Sequence, residues 1–195
     1  SIESSHDFVA YMMILMNHLS AKFLATKKCG IFRSVKSKES DGTLANVPKE
    51  IATFMKAWKS SGGRYSNYED RASHDMLGLD AYIHITSPIR RLVDLLNIMT
   101  VQQELGLLKL PDGGLEFHHR WSSIQGLAHI NEKMRDIRRV QNDCRLLNEN
   151  FKDPSLLDIV YDGYILDNTS QEDGRHRYSV YIPALKIVIR FMSSS

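Results

Sequence analysis

Asp80-Ala-Tyr-Ile-His-Ile-Thr-Ser-Pro-Ile-Arg-Arg-Leu-Val-Asp94 is the stretch from which the rest of the chain is read. Its first half, through Tyr82, Ile83, His84 and Ile85, alternates apolar and polar residues and reads as a short strand. Its second half opens a helix. Ser87 is a good N-cap, and Pro88 suits the first helical position. Arg90 and Arg91 then fall in the first turn, where the helix dipole is positive and cations are disfavoured. A helix start that also carries two arginines attracts an anion, and phosphate fits best. The rival reading pairs these arginines with nearby carboxylates such as Asp94.

Composition sets the frame. The 195 residues are enough for one full domain or parts of two, and 43% hydrophobic with 25% charged residues is ordinary for a globular protein. The net charge of +2 gives no global basic field, so a nucleic-acid site must be a local concentration of Arg and Lys. Cys29 and Cys144 are isolated and match no metal spacing, which suits a reducing compartment. No apolar run is expected to reach membrane-spanning length, and no signal peptide is visible, so no membrane partner is expected. The abrupt start at Ser1 reads as a fragment or a processed piece.

Ser4-x-x-Asp7 is a capping box ahead of a helix from Phe8 to about Leu24. This helix is apolar on most faces and is expected to be buried between other elements. Gly30 to Arg33 reads as a short strand and Ser34 to Gly42 as a surface loop. Pro48 to Ser60 is a second helix, with Ile51, Phe54, Met55 and Trp58 on one face, ended by glycine. Tyr65 to Arg71 is loop-like. The helix opened at Pro88 runs to about Leu105, with Ile89, Leu92, Val93, Leu96 and Met99 buried and Gly106 past its end. Pro111 to Gly114 is a turn. A long helix then covers 118–151, with Leu127, Ile130, Met134, Ile137, Cys144 and Phe151 near heptad spacing. Gln141 falls in that stripe and reads as a core-edge residue bonded to a neighbouring helix. Lys133, Arg135, Arg138, Arg139 and Arg145 read first as a solvated face and second as a nucleic-acid contact. After Leu156 the texture turns to Val, Ile and Tyr, which predicts two or three strands.

The run Tyr82-Ile-His-Ile-Thr-Ser-Pro-Ile-Arg-Arg91 resembles the signature of the RNase II/RNase R (RNB) family of exoribonucleases, which typically reads Tyr-x-His-Phe-Thr-Ser-Pro-Ile-Arg-Arg-Tyr-x-Asp-Leu. Tyr65-Ser66, His74, Gly78 and Leu79 match the lead-in, and Asp94-Leu95 the exit. Met13-Ile-Leu-Met-Asn17 resembles the family's Met-(Ile/Leu)-Leu-Ala-Asn helix. Leu92, Val93 and Ile98 depart from the pattern, replacing the usual Tyr, a frequent Pro and a common His.

The resemblance implies an α+β architecture. Residues 1–155 would be the helix-rich C-terminal portion of an RNB nuclease domain, and 156–195 the first strands of an S1/OB-like β-barrel, too short to close the usual five strands. It implies a hydrolytic 3′→5′ exoribonuclease that degrades single-stranded RNA to 5′-monophosphates. The implied cofactor is Mg²⁺, held by an aspartate cluster that this chain does not contain, so the chain alone is expected to be inactive. Arg90 matches the arginine on the scissile phosphate and is the candidate catalytic residue. Thr86, Ser87, Arg91, Tyr82 and His84 are the candidate RNA- and phosphate-binding residues, with packing the competing role for Tyr82, His84 and the nearby His74. His118, His119 and His129 lack zinc spacing. Expected partners are RNA and either an RNA-degradation complex or an N-terminal part of the same protein. The expected location is the cytoplasm, with the nucleus as the alternative. A degenerate homologue that binds RNA without cutting it is the second functional reading, and a plain helical interaction module the third.

Overall fold

In a computed structural model, residues 3–35, 47–61, 63–170 and 174–193 are described, and they divide into two compact units. Most of the loop expected over Ser34 to Gly42 lies outside the described residues.

The first unit comprises the chain to residue 45 and residues 56–132. It opens with α1, Ser5–Thr26. The Ser4 hydroxyl accepts from the Asp7 N–H, and the Asp7 carboxylate accepts from the Ser4 N–H, so the capping box forms as the sequence predicts. Strand β1, Ile31–Ser34, pairs antiparallel with β2, Arg64–Asn67. Helix α3 spans Leu92–Glu104, α4 spans Asp112–Ser122, and α5 starts at Ile124. The core gathers Ala21 and Leu24 of α1, Phe32 of β1, and Ala81, Ile83 and Ile85 of the motif.

The second unit comprises residues 46–55 and the chain from 133 onward. Helix α2, Lys49–Ser61, begins in it, and α5 runs through it to Lys152. Strands β3, Tyr164–Ser170, β4, His176–Ile182, and β5, Ile187–Ser193, form an antiparallel sheet in the order β3-β4-β5. Phe54 of α2 stacks on Tyr181 of β4 with ring centroids 3.6 Å apart. The mixed helix and sheet content agrees with the expected fold class. The barrel does not appear among the described residues: the sheet is three-stranded and open.

Several expectations are corrected. Tyr65 to Asn67 is not loop but part of β2, whose partner lies about thirty positions upstream, so no local pattern announces it. The single helix expected over 118–151 is two. Ser123 is extended, its hydroxyl caps the Gly126 N–H at 3.0 Å, and the chain turns so closely that a Cβ at Gly126 would lie 2.4 Å from the Arg120 carbonyl. Pro111 stands at the N-cap of α4 instead of inside a turn. The heptad stripe of α5 is buried only at Leu127; Ile137, Cys144 and Phe151 are exposed, as is Gln141.

Helix α1 is also not enclosed. Phe8, Val9, Tyr11, Met12, Met16 and Leu19 are exposed, and only Asn17, Ser20, Ala21 and Leu24 are buried. Contrary to expectation, α1 is long and apolar enough to cross a membrane by length and composition. Its buried residues include two polar ones that face the core of the first unit, which is the burial pattern of a core helix with one side uncovered.

Candidate functional site

Three asparagines position the motif. Asn17 of α1 donates to the Tyr82 hydroxyl at 2.9 Å and accepts from the Ile85 N–H at 3.0 Å. Asn97 of α3 accepts from the Ile31 N–H and donates to the Ile31 carbonyl, both at 2.9 Å, and donates also to the His84 carbonyl at 3.0 Å. Asn131 of α5 accepts from the Tyr65 N–H at 2.8 Å and donates to the Tyr65 carbonyl at 2.9 Å. An amide side chain offers one acceptor and two donors, so it can replace a neighbouring strand. This explains how Ala81 to Ile85 stays extended with little sheet of its own: its ladder is one bridge from Ile83 to Phe32 and the Arg33 N–H to Tyr82 carbonyl bond. The expected strand is therefore an extended segment.

The helix does not begin at Pro88. Ser87 to Arg91 is a turn in which the Ser87 carbonyl accepts from the N–H groups of Arg90 and Arg91. Arg91 is extended and is itself the N-cap position of α3. Ile89, expected in the core, is 102% exposed, and Arg90 beside it is exposed too. The reason is Asp94. Its carboxylate is 0% exposed and its Oδ1 accepts from the Ser87 N–H at 2.7 Å and the Arg91 guanidinium at 2.8 Å. Asp94 thus does from inside the helix what a cap does from outside it, and it delays the helical start by a turn. Ser87's backbone donor is consumed, and Arg91 carries the ion pair that the rival reading assigned to it. The Thr86 hydroxyl, the Arg91 Nε and the second Asp94 oxygen are buried with no hydrogen-bond partner among the described residues.

Tyr82 and His84 are held in a ladder of rings. His74 lies edge-on to Tyr82, Tyr82 to His84, and His84 to Tyr65. The Tyr65 hydroxyl and His84 Nδ1 are 2.7 Å apart. Burial, then the nearby charges of Arg91 and Arg33, lower the His84 pKa to about 3, with His74 and Arg90 adding to the effect. Burial raises the Tyr65 pKa. His84 is therefore neutral and unsuited to proton transfer at neutral pH. The same result shows that Arg33, Arg90 and Arg91 all act electrostatically on one point. Sequence reading found two of these cations. Arg33 was read only as the end of a short strand, because it reaches the site from β1; its guanidinium lies 5.7 Å from the Tyr65 ring centre.

The structure thus brings together Tyr82, His84, Thr86, Ser87, Arg90 and Arg91 on one short segment. Among the described residues no group of three His, Cys, Asp or Glu could hold a metal ion, and the buried Asp94 is committed to Arg91 and Ser87. The residues described here do not fit a magnesium site.

Comparison with known proteins decides the family. The model of the RNB domain matches residues 2–106. The chain belongs to the RNB family. This RNB chain is 32% identical over 109 residues to the mitochondrial exoribonuclease II of Saccharomyces cerevisiae, an overlap of 50% of the chain and 11% of that protein. Its fold also aligns with Mycoplasma genitalium RNase R, solved in complex with double-stranded RNA, over 99% of the chain and 42% of RNase R, at a TM-score of 0.48 and 15% identity. The RNB chain therefore spans about a tenth of the curated relative and under half of the solved one.

Proposed function

We propose that the chain supplies the phosphate-contacting part of a hydrolytic, metal-dependent 3′→5′ exoribonuclease that degrades single-stranded RNA to 5′-nucleoside monophosphates. The observation that carries this reading is Arg90: an exposed guanidinium on a turn pinned by the buried Asp94, beside two further cations. RNB membership and the likeness to exoribonuclease II support the reaction class. Arg90 is positioned to meet charge that develops on a transferring phosphoryl group, and its planar fork suits that anion better than lysine would. The Ser87 hydroxyl provides a further donor, whereas the Thr86 hydroxyl is buried. Tyr82 and His84 act by holding the segment in place. Magnesium, when present, would polarise the phosphate and activate water; its ligands belong to residues other than those described here. Cytoplasmic action is part of the same proposal.

The test uses the full-length protein with labelled single-stranded RNA and Mg²⁺. Monophosphates should be released from the 3′ end, and the isolated chain should release none. Arg90→Ala should lower kcat by roughly 10²–10³ with the fold intact. Normal turnover by a folded Arg90→Ala protein would remove Arg90 from the mechanism. The second reading, an RNA-binding homologue without hydrolysis, draws on one face of the sheet, where Tyr178 stacks on Phe191 and His176 lies tilted against Tyr178, rings that could hold bases. RNA bound but never shortened in the presence of Mg²⁺ would decide for it.

A further inference from the structure

Within the first unit, a cavity of 630 Å³ lies between the β1–β2 ribbon and the loop that leaves β2. The register pairs Arg33 with Tyr65, Ser34 with Arg64 and Phe32 with Ser66, so alternation divides the ribbon into two faces. Arg33 and Tyr65 share the face that reaches His84. Ser34, Arg64 and Ser66 share the other, and all three line the cavity. The loop adds Glu69, Asp70 and Arg71. It is held in place at two points. The Ser34 hydroxyl donates to the Ala72 carbonyl at 3.0 Å and accepts from the Ala72 N–H at 2.9 Å. The Arg71 guanidinium donates to the Tyr68 carbonyl at 3.0 Å and lies 4.0 Å from the Tyr68 ring centre.

The cavity thus carries two guanidiniums and two carboxylates, and among the described residues none of the four forms an ion pair. Opposite charges that share a cavity without closing on each other leave donors and acceptors for a ligand. At the floor, Ser66 is 8% exposed and its hydroxyl has no hydrogen-bond partner among the described residues. A buried hydroxyl in that state is stabilised by any group that reaches it. We infer that this cavity binds a phosphorylated sugar, with the phosphate on Arg64 and Arg71, the sugar hydroxyls on Glu69 and Asp70, and an oxygen of the ligand on the Ser66 hydroxyl. Guanidinium forks match phosphate oxygens, and carboxylates accept from ribose hydroxyls. An extended polyanion does not fit, because its further phosphates would meet the two carboxylates. The reaction proposed above releases one phosphorylated sugar, a nucleoside 5′-monophosphate, and the choice of that source rests on that reading. The charge array and the orphaned hydroxyl stand independently of it. The monophosphate would sit back to back with the motif, on the far face of the ribbon that carries Arg33 and Tyr65.

Isothermal titration of the full chain with uridine 5′-monophosphate tests this. Arg64 is exposed, so Arg64→Gln should keep the fold, checked by circular dichroism, and should weaken binding about tenfold for one lost charge-assisted bond. Glu69→Gln with Asp70→Asn should weaken the monophosphate to a similar degree and leave the affinity for inorganic phosphate unchanged. Arg90→Ala should leave monophosphate binding unchanged; loss of binding there would put the ligand on the motif segment and overturn the cavity. Uridine that binds as tightly as its monophosphate would overturn phosphate recognition. Ribose 5-phosphate that binds more tightly than the monophosphate would keep the cavity and overturn the nucleotide as its source. Monophosphate released by the full-length enzyme, with none bound by the chain, would overturn the cavity and leave the nuclease reading in place. Monophosphate bound at Arg64, with RNA never shortened by the full-length protein, would do the reverse. If Arg64→Gln proves unfolded, nuclear Overhauser contacts from the ribose to the unaltered chain decide. Contacts to the Ala72 methyl support the cavity, and contacts confined to Ile89 overturn it.

Discussion

The motif segment and the three-stranded sheet solve the same problem differently. Each must satisfy the hydrogen-bonding groups of an extended backbone. In the sheet, β4 bonds to β3 on one side and β5 on the other, so the backbone satisfies itself. Its side chains are then available for surfaces: an aromatic row on one face and arginines on the other. In the motif region, Ile31, Tyr65 and Ile85 are held by asparagine side chains, and Ser87 by Asp94. There the identity of a few side chains is the fold. The difference teaches where substitution should hurt: single polar residues matter greatly around the motif and little on the sheet.

Arg91 and its neighbour Arg90 give the sharpest contrast. Arg91→Ala leaves Asp94, 0% exposed, with the Ser87 N–H and no cation. Breaking a buried pair from one side should cost about 4 kcal/mol of stability, measured by urea unfolding. A loss below about 1 kcal/mol would place Asp94 in contact with solvent and remove the pin from the turn. Asn97→Ala comes next. It orphans both backbone groups of Ile31, within the core, and the part-buried His84 carbonyl, and should cost about 3 kcal/mol. Asn131→Ala acts on Tyr65 in a half-buried setting, and about 2 kcal/mol is expected from the same denaturation series. If either asparagine variant proves no more harmful than Asn168→Ala on the exposed β3, the contrast between the regions fails.

Much of this was legible in the sequence, and the failures share a cause. Ser4 and Asp7 cap α1 because every partner lies within three residues. Gly106 ends α3 for a similarly local reason, with a φ of 69° that glycine adopts without strain. The RNB signature was readable as a run of residues, and the comparisons bear out that family. The start of α3 was misplaced because Ser87-Pro88 satisfies the local rule for a helix start, while the deciding carboxylate sits seven residues on. Strand β2 was missed because it is four residues long and its partner is distant. Asn17 entered only as the end of the Met13–Asn17 resemblance, and neither Asn97 nor Asn131 was given a role at the site. Asn97 lies between Val93, Leu96 and Thr100 on the buried side of its helix, a position where a polar residue needs a partner. The exposure of α1 and of the far end of α5 could not be read from apolar spacing, which marks a face for burial without saying what covers it.

His84 carries the smallest expected effect per unit change of condition, and it tests the ring ladder directly. Its ordinary pKa is 6.5, and in the folded chain it is about 3, chiefly from burial and then from Arg91 and Arg33. Below 6.5 the unfolded chain takes up a proton that the folded chain refuses until about 3. Between those values the unfolded state holds more protons, so stability rises with pH and is lost on acidification. Above 6.5 the contribution is fully present and constant. One proton corresponds to a slope of at most about 1.4 kcal/mol per pH unit. The pKa values of His74 and His118 are also lowered, again mainly by burial, and they steepen the same acid limb. His84→Gln keeps a polar group near the Tyr65 hydroxyl and removes the titration. The gap between wild-type and variant stability, measured by urea unfolding in buffers from pH 7 down to pH 5, should narrow as the pH falls because the wild type loses its contribution and the variant does not. A gap that stays constant across that range would mean His84 titrates near its ordinary value, with its ring open to water and the segment it anchors looser than the three asparagines imply.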